Sequence, residues 1–225
     1  MKKLLLLFAF FTTFASFAQT VQQPMVQVVG EGTVTVVPDK VLIKARVEHM
    51  GKSATEVKKK NDSVVNQVIK YLKSEGIPAK NIQTDYIRLN KEYDYNAKEY
   101  FFSANQAISI HLDDLKKYET IMNGLLNSGL NRIDGIEFKT SKEDALNSEA
   151  RKKAVLNAKM KAEEYAAALG QKIGPAFMIN EVEGQHYQPV YRVMKMESAD
   201  SAQGETIAPG EMEVTVKVNV GFILI

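Results

Sequence analysis

Apolar and polar residues alternate along several stretches of the chain, which is the pattern of a half-buried β-strand. In Val41–Glu48 the odd-numbered residues are apolar and most of the even-numbered ones are charged. Before this stretch, Thr33–Val37 is predicted to be a short strand, with turns at Gly30–Gly32 and at Pro38-Asp39. Similar patterns predict the remaining strands at Ile82–Tyr93, Tyr100–His111, Arg132–Thr140, Pro175–Val182 and Glu211–Ile225.

Apolar residues spaced three and four positions apart predict three helices. The first begins at the capping box Ser53–Glu56 and ends near Gly76, a residue suited to a left-handed C-cap. The second follows a cap at Asp113 or Asp114 and runs to about Leu126. The third is the longest, and one stripe of it is predicted to be buried. The members of this stripe are Leu146, Ala150, Ala154, Ala158, Ala162, Tyr165 and Leu169.

The order of these elements predicts an α+β protein. From residue 41 to residue 140 the order is strand, helix, strand, strand, helix, strand, which is that of two split β-α-β units. The predicted fold is therefore a ferredoxin-like βαββαβ core with an added long C-terminal helix and two further strands. Between those two strands, residues 183–210 are rich in polar residues and glycine. This composition predicts a flexible hairpin insertion, and an ordered lid is the alternative.

The N-terminus has the pattern of an export signal. Lys2 and Lys3 precede the apolar segment Leu4–Ala15, and Ser16–Ala18 supplies the small residues of a cleavage site. A membrane anchor is the alternative, but a span needs about 20 apolar residues and this segment is shorter. We therefore expect residues 1–18 to be a signal peptide, Gln19 to start the mature chain, and residues 19–225 to form a single periplasmic or secreted domain without a membrane span.

The charge balance limits the class of partner, and the absence of cysteine excludes disulfide bonds as a source of stability. The chain has 29 basic and 27 acidic residues, and the predicted signal removes two of the basic ones. The mature chain is then formally neutral, which argues against a nucleic-acid partner because such proteins present a basic face. The chain has no cysteine, so its stability must come from its core.

The candidate residues for chemistry do not form a recognisable site. His49, His111 and His186 lie in three different predicted elements, whereas a zinc site needs three or four converging ligands. Gly30-Glu31-Gly32 precedes a strand rather than a helix, so it lacks the geometry of a dinucleotide-binding turn. These glycines are expected to set a bend or to allow close packing.

The remaining candidates are equally weak. Four methionines, Met178, Met194, Met196 and Met212, could bind copper, but methionine also fills apolar contacts without any metal. No serine lies in a G-x-S-x-G motif, and the glycosylation sequon at Asn61 falls inside a predicted helix. We therefore predict no catalytic, cofactor-binding or metal-binding residue and no cofactor.

Two motifs resemble those of a known family. The first is V-V-G-E-G-T-V-T-V-V-P-D at Val28–Asp39. Together with a second motif downstream, it is similar to the SIMPL-domain family of exported bacterial proteins, also called domain of unknown function 541. The second motif comprises Ala150-Arg151, Ala154–Ala158, Ala162, Tyr165, Leu169-Gly170 and Ile173-Gly174.

The resemblance implies an exported, non-enzymatic envelope protein that tends to self-associate, with a role in oxidative-stress defence and an unidentified envelope partner. A metal- or copper-binding periplasmic protein and an unrecognised hydrolase stay open as alternatives. Because Val26–Val37 is apolar and rich in β-formers, we predict that it lies at the rim of the domain and pairs with a neighbouring chain. The alternative is an ordinary edge strand that packs on its own domain.

Overall fold

The computed structural model describes residues 23–182 and 207–225. The predicted signal peptide and residues 183–206 of the predicted insertion lie outside the described residues, as do His186, Met194 and Met196. Residues 207–210, the end of the predicted insertion, are described and have no regular secondary structure.

The described chain is an α+β protein with two sheets and three helices, which confirms the predicted class. The helices are α1 (Ala54–Ser74), α2 (Tyr118–Asn127) and α3 (Glu143–Ala168). The strands are β1 (Met25–Val36), β2 (Lys40–Gly51), β3 (Ile82–Asp94), β4 (Glu99–Leu112), β5 (Arg132–Lys139), β6 (Ile173–Glu181) and β7 (Met212–Leu224).

The chain divides into two compact units. One unit contains residues 23–32, 150–182 and 216–225, and the other contains residues 33–149 and 207–215. In the second unit the strands form a four-stranded sheet in the order β3-β4-β2-β5, and each neighbouring pair is antiparallel. Along the chain this unit runs β2, α1, β3, β4, α2, β5, which is the element order predicted from the sequence.

The core of the second unit lies between this sheet and the helices α1 and α2. Ile43 of β2 lies opposite Ile110 of β4, and both side chains are fully buried. Leu72 of α1 and Leu125 of α2 are also fully buried in the same cluster. Burying a side chain of this size contributes about 1.5–3 kcal/mol. The apolar alternation of β2 therefore marks the face of the sheet that the helices cover.

The second helix is shorter than the sequence predicts. The backbone N–H of Lys117 donates to the carbonyl oxygen of Asp114 at 3.2 Å and closes a single 3₁₀ turn over Leu115–Lys117, which the Asp114 side chain caps by accepting from the N–H of Lys116 at 3.0 Å. The α-helix begins only at Tyr118. The apolar spacing counted from Leu115 thus runs through two kinds of helical turn, which periodicity alone does not separate.

The three-stranded sheet has the order β1-β7-β6. Leu224 donates its backbone N–H to Pro24, and Glu31 forms an ion pair with Lys217, so β1 and β7 are antiparallel. The predicted turn at Gly30–Gly32 is wrong, because both glycines lie in the middle of β1. The predicted short strand at Thr33–Val37 is the second half of this longer strand.

Helix α3 buries one side chain in every four. The predicted stripe is confirmed from Leu146 to Ala162, but Tyr165 is 58% exposed and Leu169 is 72% exposed, so the prediction is wrong for these two. The stripe continues instead at Ala166, which is 1% exposed. The spacing of four therefore persists to the last turn, where the prediction had introduced a step of three.

Candidate functional site

The contact between β1 and α3 explains the two glycines of the first motif. A Cβ atom added to Gly30 would lie 2.0 Å from the carbonyl oxygen of Ala154, and one added to Gly32 would lie 2.1 Å from that of Ala150. Only a residue without a side chain permits this approach, since ordinary contacts begin near 3.4 Å. The glycines therefore serve close packing, one of the two roles that the sequence suggested for them.

Side chains of α3 also bond the outer edge of β1. Asn157 accepts a hydrogen bond from the backbone N–H of Glu31 at 3.1 Å, and Lys161 donates to the carbonyl oxygen of Val29 at 2.9 Å. Residues alternate in direction along an antiparallel strand, and Pro24 bonds to β7, so these odd-numbered residues face away from β7. β1 is an edge strand, as predicted, but it pairs with its own chain and part of its free edge is occupied.

The opposite edge of the same sheet is different. Among the described residues β6 has β7 as its only strand neighbour. Phe177 is 48% exposed and Ile179 is 56% exposed, although both are large apolar residues. Native proteins usually protect such an edge with charges or cover it, because its unpaired backbone groups are a template for another strand. The β6 edge is therefore the first candidate interaction surface.

A cavity of about 470 Å³ lies at one end of the four-stranded sheet. It forms where the start of β2 meets the ends of β4 and β5, because Lys40 lies opposite Lys139 and Val41 lies opposite Leu112. The 3₁₀ turn before β3 contributes Lys80. We call this cavity the lysine pocket; it is lined by Lys40, Val41, Lys80, Asn81, His111, Leu112, Asp113 and Lys139.

A polar network fixes one wall of the lysine pocket. Asp113 forms an ion pair with Lys40 at 2.8 Å and accepts a hydrogen bond from the Asn81 side chain, also at 2.8 Å. Asn81 is nearly buried and donates a second hydrogen bond to the backbone carbonyl of His111 at 3.1 Å. The hydrogen bond from Lys40 is the main cause that lowers the pKa of Asp113, and the same bond raises the pKa of Lys40. Both groups are therefore charged at neutral pH.

The sheet face opposite the helices carries charges that compensate one another. Lys44 pairs with Glu137 and Arg46 pairs with Asp134. In these two pairs each cation has an anion beside it, so the charges of the pairs cancel. The lysine pocket differs, since neither Lys80 nor Lys139 has a carboxylate within ion-pair distance among residues 23–182 and 207–225.

The described histidines do not meet. His49 lies opposite Ala104 of β4, whereas His111 lies seven residues further along β4, roughly 23 Å away at the rise of an extended strand. His49 is half-buried, and its Nδ1 lies 3.2 Å from the Oδ1 of Asn61. In the described part of the chain no group of three His, Cys, Asp or Glu residues could hold a metal ion.

The other candidates from the sequence are also separate. Met178 lies opposite Gly221, whereas Met212 is the first residue of β7. Asn61 is 2% exposed, so the folded protein cannot present this sequon to a glycosylating enzyme. The lysine pocket has no signature in the sequence, because its lysines lie in three elements far apart in the chain. The only local signal is that Lys40 begins a strand and Lys139 ends one.

The fold defines an α+β protein with two antiparallel sheets, one of which is held against a long alanine-striped helix. The model of the SIMPL family, described as a protein of unknown function (DUF541), matches residues 26–222. The chain therefore belongs to the SIMPL family, as the two motifs indicated.

Two relatives cover nearly the whole chain. This chain is 29% identical over 205 residues to the "Uncharacterized protein YggE" of Escherichia coli K12, across 89% of this chain and 83% of that protein. It is also 29% identical over 224 residues to the "26 kDa periplasmic immunogenic protein" of Brucella melitensis, across 92% of this chain and 89% of that protein. These names give a periplasmic setting for one relative and no activity for either.

Proposed function

We propose that this protein is an exported, non-enzymatic module of the cell envelope that associates with copies of itself through the β6 edge. The observation that carries the proposal is the exposure of large apolar side chains on an edge strand, Phe177 and Ile179, with an unpaired backbone edge beside them. A second copy can cover both, because strand addition satisfies the backbone while neighbouring side chains bury one another.

The two edges of the three-stranded sheet differ in a way that supports this choice. On β1 the outward groups of Val29 and Glu31 are already bonded by α3. A copy that paired with β1 would have to displace these bonds. The bond that α3 makes to β6 runs from Arg151 to the side-chain carboxylate of Glu181, so it does not occupy the backbone edge of β6. We therefore transfer the predicted self-association from Val26–Val37 to β6 and treat β1 as a strand of the monomer.

The periplasmic setting rests on the predicted signal peptide and on the name of the Brucella relative. Within residues 23–182 and 207–225, no helix is long and apolar enough to cross a membrane. We also propose that the unit built around β2–β5 is a ferredoxin-like core. Its element order and its antiparallel sheet order support this assignment.

Light scattering on matched variants tests the proposed interface. Ile179→Lys places a charge on the β6 edge, and Val29→Lys places the same charge on β1, where the side chain is 49% exposed. We expect the unmodified protein to form a defined oligomer, Ile179→Lys to be monomeric and Val29→Lys to keep the oligomer. A monomeric unmodified protein would contradict self-association. Loss of the oligomer in Val29→Lys alone would return the interface to β1.

The family resemblance is the only support for a role in oxidative-stress defence. The chain has no cysteine, so direct consumption of an oxidant would fall on methionine, which oxidises to the sulfoxide. Growth of a deletion strain under peroxide, with and without a plasmid copy, would test the role. Equal survival of both strains would remove it.

A further inference from the structure

We propose that the lysine pocket binds a phosphate-bearing ligand. The site goes beyond the proposed assembly function, because none of its residues lies on β6. It takes the phosphate group of a small phosphomonoester or of a phosphorylated headgroup, and the pocket lysines supply the recognition.

The charge of the pocket matches that of a phosphate monoester. Three lysines and one aspartate line the cavity, which leaves two positive charges when His111 is neutral. A phosphate monoester carries about −1.5 to −2 at pH 7. Lysine also suits phosphate, because its ammonium group is a compact charge with three donors on a flexible stem.

Two of these lysines lie where like charges repel, and one of the two has no carboxylate partner among the described residues. Lys40 and Lys139 lie directly opposite each other on β2 and β5. Like charges in this position destabilise a sheet. Asp113 compensates Lys40, but Lys139 has no carboxylate partner among the described residues. A bound phosphate would compensate Lys139 and would add to the attraction that Asp113 already exerts on Lys80.

The rest of the pocket holds the cations in place rather than removing their charge. Asp113 orients Lys40 and is itself held by Asn81, whose other bond goes to the backbone at His111. Lys40 uses one of its three donors in this ion pair, so two remain for a ligand. The cavity of about 470 Å³ falls in the range of about 300–1,000 Å³ for small-molecule sites. It therefore has room for the group that carries the phosphate.

Calorimetric titration of the purified protein tests the proposal. The probes are inorganic phosphate, glucose 1-phosphate, and phosphatidylcholine vesicles with and without phosphatidic acid. Lys80→Gln and Lys139→Gln should each weaken binding about five-fold, the factor for one exposed charge pair of about 1 kcal/mol. Lys73→Gln removes the same charge from the exposed end of α1 and is the matched control, expected to leave the affinity unchanged.

The possible results either identify the source of the phosphate group or overturn the proposal. Binding of the soluble phosphates alone supports a small-molecule ligand, and binding of phosphatidic acid vesicles alone supports a headgroup. No binding of any probe overturns the proposal. Equal weakening in Lys73→Gln would also overturn it, because the effect would then come from overall charge. Light scattering should give the same oligomer for all three variants, which separates this test from that of the β6 interface.

Discussion

Replacing Gly30 by alanine is expected to disrupt the contact between β1 and α3. The new methyl group would lie 2.0 Å from the Ala154 carbonyl oxygen and 2.7 Å from the Ala158 Cβ. The first of these atoms is backbone, so no side-chain rotation relieves the overlap. The strand and the helix must separate by more than an ångström to restore an ordinary contact near 3.4 Å.

The expected cost follows from two opposing terms. Overpacking a core typically costs about 1–3 kcal/mol, and a clash with backbone belongs at the upper end. Replacing glycine by alanine also restricts the unfolded chain, which raises the free energy of unfolding by about 0.4–1 kcal/mol. We therefore expect Gly30→Ala to lower the free energy of unfolding by about 2 kcal/mol, equivalent to a fall in Tm of roughly 4–8 °C for a chain of this size.

Urea unfolding measures this difference, and Gly135→Ala is the matched control. Gly135 also lies in a strand, but a Cβ added there meets nothing within 4 Å. The control should be neutral or slightly stabilised. A cost below about 1 kcal/mol for Gly30→Ala would refute the reasoning, since it would mean that α3 yields easily to the added methyl group.

Three further predictions concern other parts of the chain. Ala158→Leu should lower the free energy of unfolding, measured in urea, by about 1–3 kcal/mol because Ala158 is fully buried. Lys159→Leu, on the exposed side of the helix, should lower it little. Equal losses would mean that the buried face of the helix is wrongly assigned. The Ser141 hydroxyl donates to Asp39 and lowers the pKa of that carboxyl group. The bond contributes its full stability above the unfolded pKa of about 4, and this contribution is lost as the pH falls through the lower folded pKa. In Asp39→Asn the free energy of unfolding, measured in urea at a series of acidic pH values, should therefore fall less steeply with decreasing pH. Mass spectrometry of protein from the envelope should show cleavage after Ala18, and an intact chain held in the membrane would contradict cleavage.

The parts of the fold that depend on local spacing could be predicted from the sequence. The alanines of α3 recur every four residues, and this spacing placed one face of the helix in the core without any knowledge of its partner. The prediction failed at Tyr165 because it left this spacing for a step of three in order to include a large side chain, whereas Ala166, four residues after Ala162, is the buried one. The strict spacing therefore identified the buried face better than side-chain size did.

The features that depend on distant partners could not be predicted. Glycine serves equally in a turn or beside another backbone, and the partner of Gly30 is Ala154, far along the chain. The lysine pocket poses the same difficulty, because Lys40, Lys80 and Lys139 meet only after β2, β4 and β5 have paired. Nothing in the local sequence around each lysine marks it, and only the order of the strands brings the three lysines together.

The bonds from Asn157 and Lys161 to the edge of β1 have a consequence for the symmetry of any assembly. A sheet with two open edges can add copies head to tail without end, which produces fibres. When a helix bonds part of one edge, the other edge accepts a strand more readily, and each copy then offers the same edge to its partner. Such a contact is isologous and has a twofold axis, so the pair closes on itself and leaves the β6 edge of neither copy open to a third. In this protein two α3 side chains would thereby set the upper limit on growth of the sheet.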